Sequence, residues 1–208
     1  FSTKRKIFST DLNVKNQTYH KKNSVEIGPS ELALNEWSNA GLQLPNLSNM
    51  RQYRLTRITK KLIESNLDGV LLFDPLNIRY ATDTTNMQLW NTHNPFRACL
   101  VTASGYIVVW DYKNAPFLCD FNPLVKEVRS GASMFYFTTG EKSNEAAINF
   151  ASQIKELVIK HGSSERRLAV DKIMIAGLRA LEKESINVFD GEPIMEHARS
   201  IKGFDDIL

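Results

Sequence analysis

Apolar and polar positions along the chain fall into two regimes. In the first, short continuous apolar runs bounded by turn residues suit strands buried on both faces. Val70 to Phe73 is such a run, and Leu168 to Asp171 and Asn187 to Phe189 read the same way. Residues 97–103 and 106–112 predict a hairpin about Ser104-Gly105. In it Ile107, Val109 and Asp111 alternate with Val108, Trp110 and Tyr112. Asn77 to Ala81 reads as a further short strand, Val125 to Arg129 as an edge strand, and Met134 to Phe137 as another buried run. Helical spacing governs the second regime. Leu55, Ile58, Leu62 and Ile63 form the apolar stripe of a helix over about 49–65, capped by Asn46 or Ser48. Arg51, Arg54, Arg57, Lys60 and Lys61 line its other side and read as a solvated face. Ala147, Phe150, Ile154 and Leu157 mark a helix capped by Ser143 and closed at His161-Gly162. Residues 173–184 and a last helix entered at Pro193 follow. Strands alternate with helices only in the second half. The pattern therefore predicts an α/β layer fold whose mixed sheet has a hairpin half and a crossover half.

The first part of the chain lacks this patterning. Residues 1–27 are polar and read as a flexible N-terminal arm. Gly28-Pro29-Ser30 is a turn and a helix start, Leu34 and Trp37 share a face of a short helix, and Gly41 can stop it. Residues 28–46 are thus a docking helix and linker, and the main domain begins at about 47.

Between two of the apolar runs lies the stretch 74–97, too long and too aromatic for a plain connection. Asp74-Pro75-Leu76-Asn77 is a turn signal, and Tyr80 is expected in the sheet with its hydroxyl bonded. Trp90 has two readings: a large apolar face that attracts cations, or a cap, with Phe96, over the end of the sheet. Arg97 could pair with a carboxylate and His93 could titrate near neutral pH, but for both the structural reading leads, with Arg97 held by an internal Asp.

Composition narrows the function classes. The chain has 208 residues, 42% apolar and 24% charged, as in an ordinary soluble globular protein. Net charge is +3, and much of the excess sits near the start. No basic stripe with interleaved aromatics points to nucleic acid, and no apolar run approaches the roughly 20 residues of a membrane span. Cys99 and Cys119 read as reduced, buried thiols of a cytoplasmic protein. The four histidines are scattered, and no HExxH, GxSxG, GxGxxG or P-loop occurs. Asp205-Asp206 reads as a helix start rather than a ligand pair. Nothing assembles a nucleophile, base and oxyanion donor set, so neither a catalytic nor a metal-ligating residue is expected in this chain.

Asp68-Gly-Val-Leu-Leu-Phe-Asp-Pro-Leu-Asn-Ile-Arg-Tyr-Ala-Thr-Asp83 resembles the signature of the creatinase/prolidase N-terminal domain. Arg199 to Lys202 with Asp205-Asp206-Ile207 resembles the junction that leads from that domain to its catalytic partner. The arm adds a narrower likeness. Gly28-Pro29 through Trp37, Ala40-Gly41-Leu42, Leu44-Pro45 and Met50 to Leu55 are similar to the dimethylsulfoniopropionate lyases of the same pita-bread superfamily. Asn86-Met87-Gln88-Leu89-Trp90 and His93-Asn94-Pro95 add to it.

The resemblance implies a ribonuclease-H-like creatinase N-terminal domain over 47–202, a mixed sheet flanked by helices with an N-terminal extension, and a linker starting at 203–208. It implies that the catalytic C-terminal domain, which would hold two divalent metal ions on two Asp, one His and two Glu, lies outside this chain. The fragment is then expected to be non-catalytic alone. It would pack against its own catalytic domain and across a homodimer, and lend loop residues to the partner subunit's active site. The parent would be a metal-dependent lyase or an Xaa-Pro dipeptidase/creatinase-like hydrolase, acting on a sulfonium zwitterion or a dipeptide. Trp90 matches the tryptophan placed near substrate in the lyases. Asn86, His93 and Arg97 complete the set expected near the substrate. The alternative is a freestanding small-molecule-binding or scaffold module.

Overall fold

The computed structural model describes residues 4–6, 24–26, 30–113 and 115–207. Its strands are β1 (Lys4–Lys6), β2 (Ser24–Glu26), β3 (Gly69–Leu72), β4 (Ala98–Thr102), β5 (Ile107–Asp111), β6 (Val125–Ser130), β7 (Arg167–Val170) and β8 (Asn187–Asp190). Its helices are α1 (Glu31–Asn39), α2 (Leu47–Glu64), α3 (Pro75–Thr82), α4 (Gln88–His93), α5 (Tyr136–Thr139), α6 (Ser143–His161), α7 (Ile175–Lys183) and α8 (Glu192–Ser200). β1 and β2 pair with each other, antiparallel. The other six strands form one sheet in the order β6-β5-β4-β3-β7-β8. β4 runs antiparallel to both its neighbours, whereas β5–β6, β3–β7 and β7–β8 are parallel. The hairpin half and the crossover half therefore meet at β3.

Strand side chains alternate between faces, and each face builds its own core. Leu71, Ala98, Leu100, Val108, Trp110, Leu168 and Val170 pack on α6 and α7 through Phe150, Ile154, Leu157 and Leu181. Val70, Leu72, Cys99, Val101, Ile107, Val109 and Ala169 face α2, α3 and α8 through Leu55, Ile58, Leu62, Ile78, Met195 and Ala198. Burial on both sides is why these strands read as continuous apolar runs. Trp110 is fully buried, T-shaped against Phe150, and its indole N–H donates to Gln153 Oε1 at 3.0 Å.

Two expected strands are absent. Asn77 to Ala81 lies inside α3. The Asp74 carboxylate accepts from the Leu76 and Asn77 amides, and Pro75 supplies a preset φ in the first turn, so capping overrides the strand preference of Ile78 and Tyr80. Tyr80 thus leaves the sheet, although its hydroxyl is bonded, donating to the Ala198 carbonyl at 3.0 Å. Met134 to Phe137 also makes no strand. Met134 and Phe135 are buried, after which the chain turns into α5, with Tyr136 and Phe137 exposed.

Smaller differences concern helix ends and faces. Asn46 caps α2, accepting from the Asn49 amide, and Ser30 caps α1. Ser143 is the first residue of α6 rather than its cap, and Ile63 is 66% exposed, off the apolar stripe. No residue of α1 is buried, and the turn expected at Gly28-Pro29 and most of the arm over 1–27 lie outside the described residues. The arginines of α2 are not a solvated face. Arg51 pairs with Asp83 at 2.8 Å, Arg54 with Asp206 at 2.6 Å, and Arg57 donates to the carbonyls of His197 and Ala198.

The contacts of Arg54 and Arg57 tie α2 to α8 and to the segment that follows it. Asp205 and Asp206 lie in a 3-10 turn (Phe204–Asp206). Asp206 accepts from the Gly203 amide and pairs with Arg54, and Asp205 accepts from the Asn46 amide at 2.6 Å. A helix start was expected there; Asp206 holds the turn, and Asp205 binds it to the start of α2.

Candidate functional site

The stretch from Asp74 to Arg97 leaves the end of β3 beside β7 and returns at β4. Its first part is fixed by one carboxylate. Asp171, just after β7, accepts from the amides of Phe73 (2.7 Å), Asp74 (3.2 Å) and Lys172 (2.6 Å) and from the Asn77 side-chain amide (2.9 Å). Asn77 in turn accepts from Arg199 at 2.8 Å. The Asn of the Asp-Pro-Leu-Asn motif therefore bridges the strand ends to α8. Lys172 pairs with Asp74. Burial opposes ionisation of Asp74, yet Lys172 and the Asn77 and Leu76 amides outweigh it and hold the carboxyl below its usual range.

The second part is fixed from beneath by Arg97, which is 3% exposed. Its Nε donates to Asp111 at 2.8 Å, one Nη to the Thr84 carbonyl at 3.1 Å, and the other to Thr84 Oγ1 at 2.6 Å. Thr84 Oγ1 lies 2.7 Å from Thr82 Oγ1, which donates to the Ile78 carbonyl. Asp111 is fully buried, and beyond Arg97 it accepts from the Asn86 side-chain amide (2.7 Å) and the Tyr112 amide (2.9 Å). A buried ion pair needs such further donors to offset its desolvation. Asn91 is the other post. Its amide nitrogen donates to the carbonyls of Asn86 and Met87, and its oxygen accepts from the Arg97 amide.

What this frame holds up is apolar. Met87 starts α4 in the left-handed region (φ 38°) with no side-chain cap, a costly conformation for a non-glycine residue. Leu89 is 88% exposed, Met87 54% and Trp90 39%. With Gln88 and His93 they line an open depression of about 490 Å³. Trp90 meets Phe137 of α5 at 5.6 Å between centroids and 75° between planes. Phe96 instead stacks flat on Tyr112 at 3.8 Å.

Trp90 and His93 thus share an exposed face, Asn86 is half-buried with its amide on Asp111, and Arg97 lies in the core. The internal Asp expected for Arg97 is Asp111. Residue patterns missed Asp111, Thr84 and Asn91. A polar Asn inside a short helix was the available signal, since Asn is unfavourable there unless its side chain has backbone partners. Phe137 was hidden in the supposed strand.

Among the described residues no group of three or more His, Cys, Asp or Glu could hold a metal ion. The buried carboxylates are already saturated, Asp111 and Asp171 each by several donors. The described residues do not fit a dinuclear centre. Cys99 and Cys119 are free and buried, and burial pushes both thiols up, away from the reactive thiolate. Among the described residues no helix is long and apolar enough to cross a membrane.

Comparison with known proteins agrees with this architecture. The family model for the creatinase/prolidase N-terminal domain matches residues 54–201. Dimethylsulfoniopropionate lyase DddP of Roseovarius nubinhibens is 56% identical over 191 residues, 92% of this chain and 43% of its own length. The DddP of Roseobacter denitrificans is 56% identical over 185 residues, 89% of this chain and 41% of its own. The chain thus spans less than half the length of these curated relatives. Among solved structures, a dipeptidase from Pyrococcus horikoshii superposes with a TM-score of 0.52 at 16% identity, covering 73% of this chain and 38% of that one. An aminopeptidase P from Streptococcus thermophilus gives 0.50 at 18% identity, covering 72% and 98%. These structural likenesses establish the α/β fold.

Proposed function

The chain belongs to the creatinase/prolidase N-terminal domain family, and from that premise we propose that it is the non-catalytic N-terminal domain of a dinuclear-metal pita-bread enzyme. It mediates dimerisation and presents the 86–93 segment to the partner subunit's active site. Of the two candidate parents, a dimethylsulfoniopropionate lyase fits better than an Xaa-Pro dipeptidase, because the DddP proteins match nearly the whole chain at 56% identity. The metal ions would be held by the catalytic domain. The compartment would be the cytoplasm, in keeping with two free cysteines.

The observation that carries this reading is the contrast within one loop. Arg97, Asn91 and Asp111 are locked inside, while Met87, Leu89 and Trp90 are held out on a strained, pinned turn. A loose loop would not need such a frame, and a core loop would not expose an indole. Trp90 is the substrate-proximal residue, its face suited to a sulfonium cation. His93 sits beside it at the mouth of the depression. Asn86 and Arg97 act by holding the segment in place.

Subunit complementation with the enzyme from the full reading frame tests this. Trp90→Ala is expected to lower kcat/KM for dimethylsulfoniopropionate at least tenfold, and so is inactivation of the metal site. Mixed dimers of the two variants should recover activity, since one site would then join an intact metal centre to an intact loop. Absence of recovery, with dimers formed, would defeat the in-trans role. Absence of lyase activity in the wild type would defeat the choice of parent.

A further inference from the structure

The run Met134 to Phe137 has a second role. Met134 and Phe135 are 2% and 4% exposed, whereas Tyr136 is 68% and Phe137 77% exposed. The four-residue α5 that carries the outer pair is firmly held. Thr139 Oγ1 donates to the Phe135 carbonyl at 2.9 Å and lies 2.7 Å from Ser143 Oγ, which donates to the Gly140 carbonyl. Gly140 ends the helix at φ 52°, where a side chain would be strained. Tyr136 is tethered through its hydroxyl, which donates to Glu141 at 3.0 Å.

Phe137 is thus an aromatic ring held in water on a rigid support. Met87, Leu89, Trp90, Tyr136 and Phe137 are all large, apolar and exposed, and clustered exposure of this kind marks a binding surface. Trp90 and Phe137 come from different elements and meet nearly at right angles. Two perpendicular rings form a corner with two π faces, the arrangement that recognises methylated onium groups. Among the described residues the arginines stacked over rings lie on Phe121, Tyr80 and Phe189.

We infer that Phe137 is a specificity-determining residue, the second wall of a corner in which Trp90 is the first, selecting a methylated sulfonium or ammonium head over its uncharged isostere. This rests on the reading that Trp90 meets the substrate. Phe137 touches no reacting bond, so its effect belongs in binding rather than turnover.

The test uses the enzyme from the full reading frame with two ligands of one shape, dimethylsulfoniopropionate as substrate and 4-methylpentanoate as its uncharged-head competitor. Phe137→Leu keeps an apolar side chain and removes the π face. It should raise KM for the sulfonium substrate about fivefold, the scale of one cation–π contact. kcat should stay within twofold, the inhibition constant of 4-methylpentanoate should not move, and Phe137→Tyr should restore the KM. If KM and the inhibition constant rise together, or neither moves, Phe137 is part of an ordinary apolar contact surface and the inference falls. If the wild-type enzyme does not turn over dimethylsulfoniopropionate, the proposed parent reaction fails separately. The corner is then judged by tryptophan fluorescence during titration with trimethylsulfonium ion. Saturable quenching lost in Phe137→Leu upholds the inference, and its absence overturns it.

Discussion

The two halves of the 74–97 stretch treat their side chains in opposite ways. In α3 and its cap, polar groups point inward to partners in distant parts of the chain: Asp74 to Lys172, Asn77 to Asp171 and Arg199, Tyr80 to Ala198. In the 86–93 segment the polar groups are again internal, but the large apolar side chains point out. The first half joins elements of the domain to one another. The second uses the same kind of hydrogen-bonded frame to hold hydrophobic surface in water. Exposed apolar area is therefore informative here because of what lies beneath it. Loose chain would bury Trp90 by collapse, whereas a segment anchored on a buried ion pair cannot.

That contrast can be broken hardest at its base. Arg97→Ala leaves Asp111 buried without its counter-charge, so stability should fall by about 3–5 kcal/mol. Urea unfolding would measure it, and the 86–93 segment should lose its structure before the sheet does. Next comes the first half. Asn77→Ala removes the bridge between Asp171 and Arg199 and should cost about 1–3 kcal/mol, with the loss read from the same titration. Trp90→Ala removes the packed part of a half-exposed ring, its edge contact with Phe137 and its polar contact with the Tyr112 hydroxyl, so stability should fall by about 1–2 kcal/mol, less than for Arg97→Ala. A loss like that of Arg97→Ala would mean that Trp90 is core after all. The smallest effect belongs to Asp74→Asn, which keeps the capping oxygen but removes the charge facing Lys172. Because Lys172 and the cap amides hold the folded-state pKa of Asp74 below its ordinary value of 3.8, its contribution is present above that value and is lost as pH falls through the lowered one. The variant should be less stable at pH 7 by about 0.3–0.5 kcal/mol, a difference that vanishes in acid. Thermal melts at the two pH values would show it.

The comparison also marks what residue patterns could reveal. The hairpin about Gly105 and the strands buried on both faces were readable, because continuous apolar runs bounded by turn residues leave their mark within a few neighbouring residues. The amphipathic helices were readable because their apolar spacing is equally local. Two features depended on weighing competing local signals. Asn-Ile-Arg-Tyr-Ala looks like a strand until the Asp74 cap and Pro75 are given precedence. Met134 to Phe137 looks buried because four apolar residues in a row do not say where the backbone turns. The remaining features were beyond local reading, because their partners lie far along the chain. Arg54 finds Asp206 and Arg51 finds Asp83, and no spacing rule ties a helical arginine to a carboxylate more than 30 residues away. The site was half legible for the same reason: Trp90 stood out by type, whereas Thr84, Asn91 and Asp111 acquire their meaning only when the fold assembles them.

The bond from the Asn46 amide to Asp205 has a mechanical corollary. Asn46 precedes α2 and Asp205 follows α8, so the chain entering the first of these helices lies beside the chain leaving the last. A pull on either flanking segment would be borne by the Asn46–Asp205 and Arg54–Asp206 bonds before it reached the sheet. Because both bonds sit at the α2 and α8 ends, such a load would reach the 86–93 segment only after they had parted.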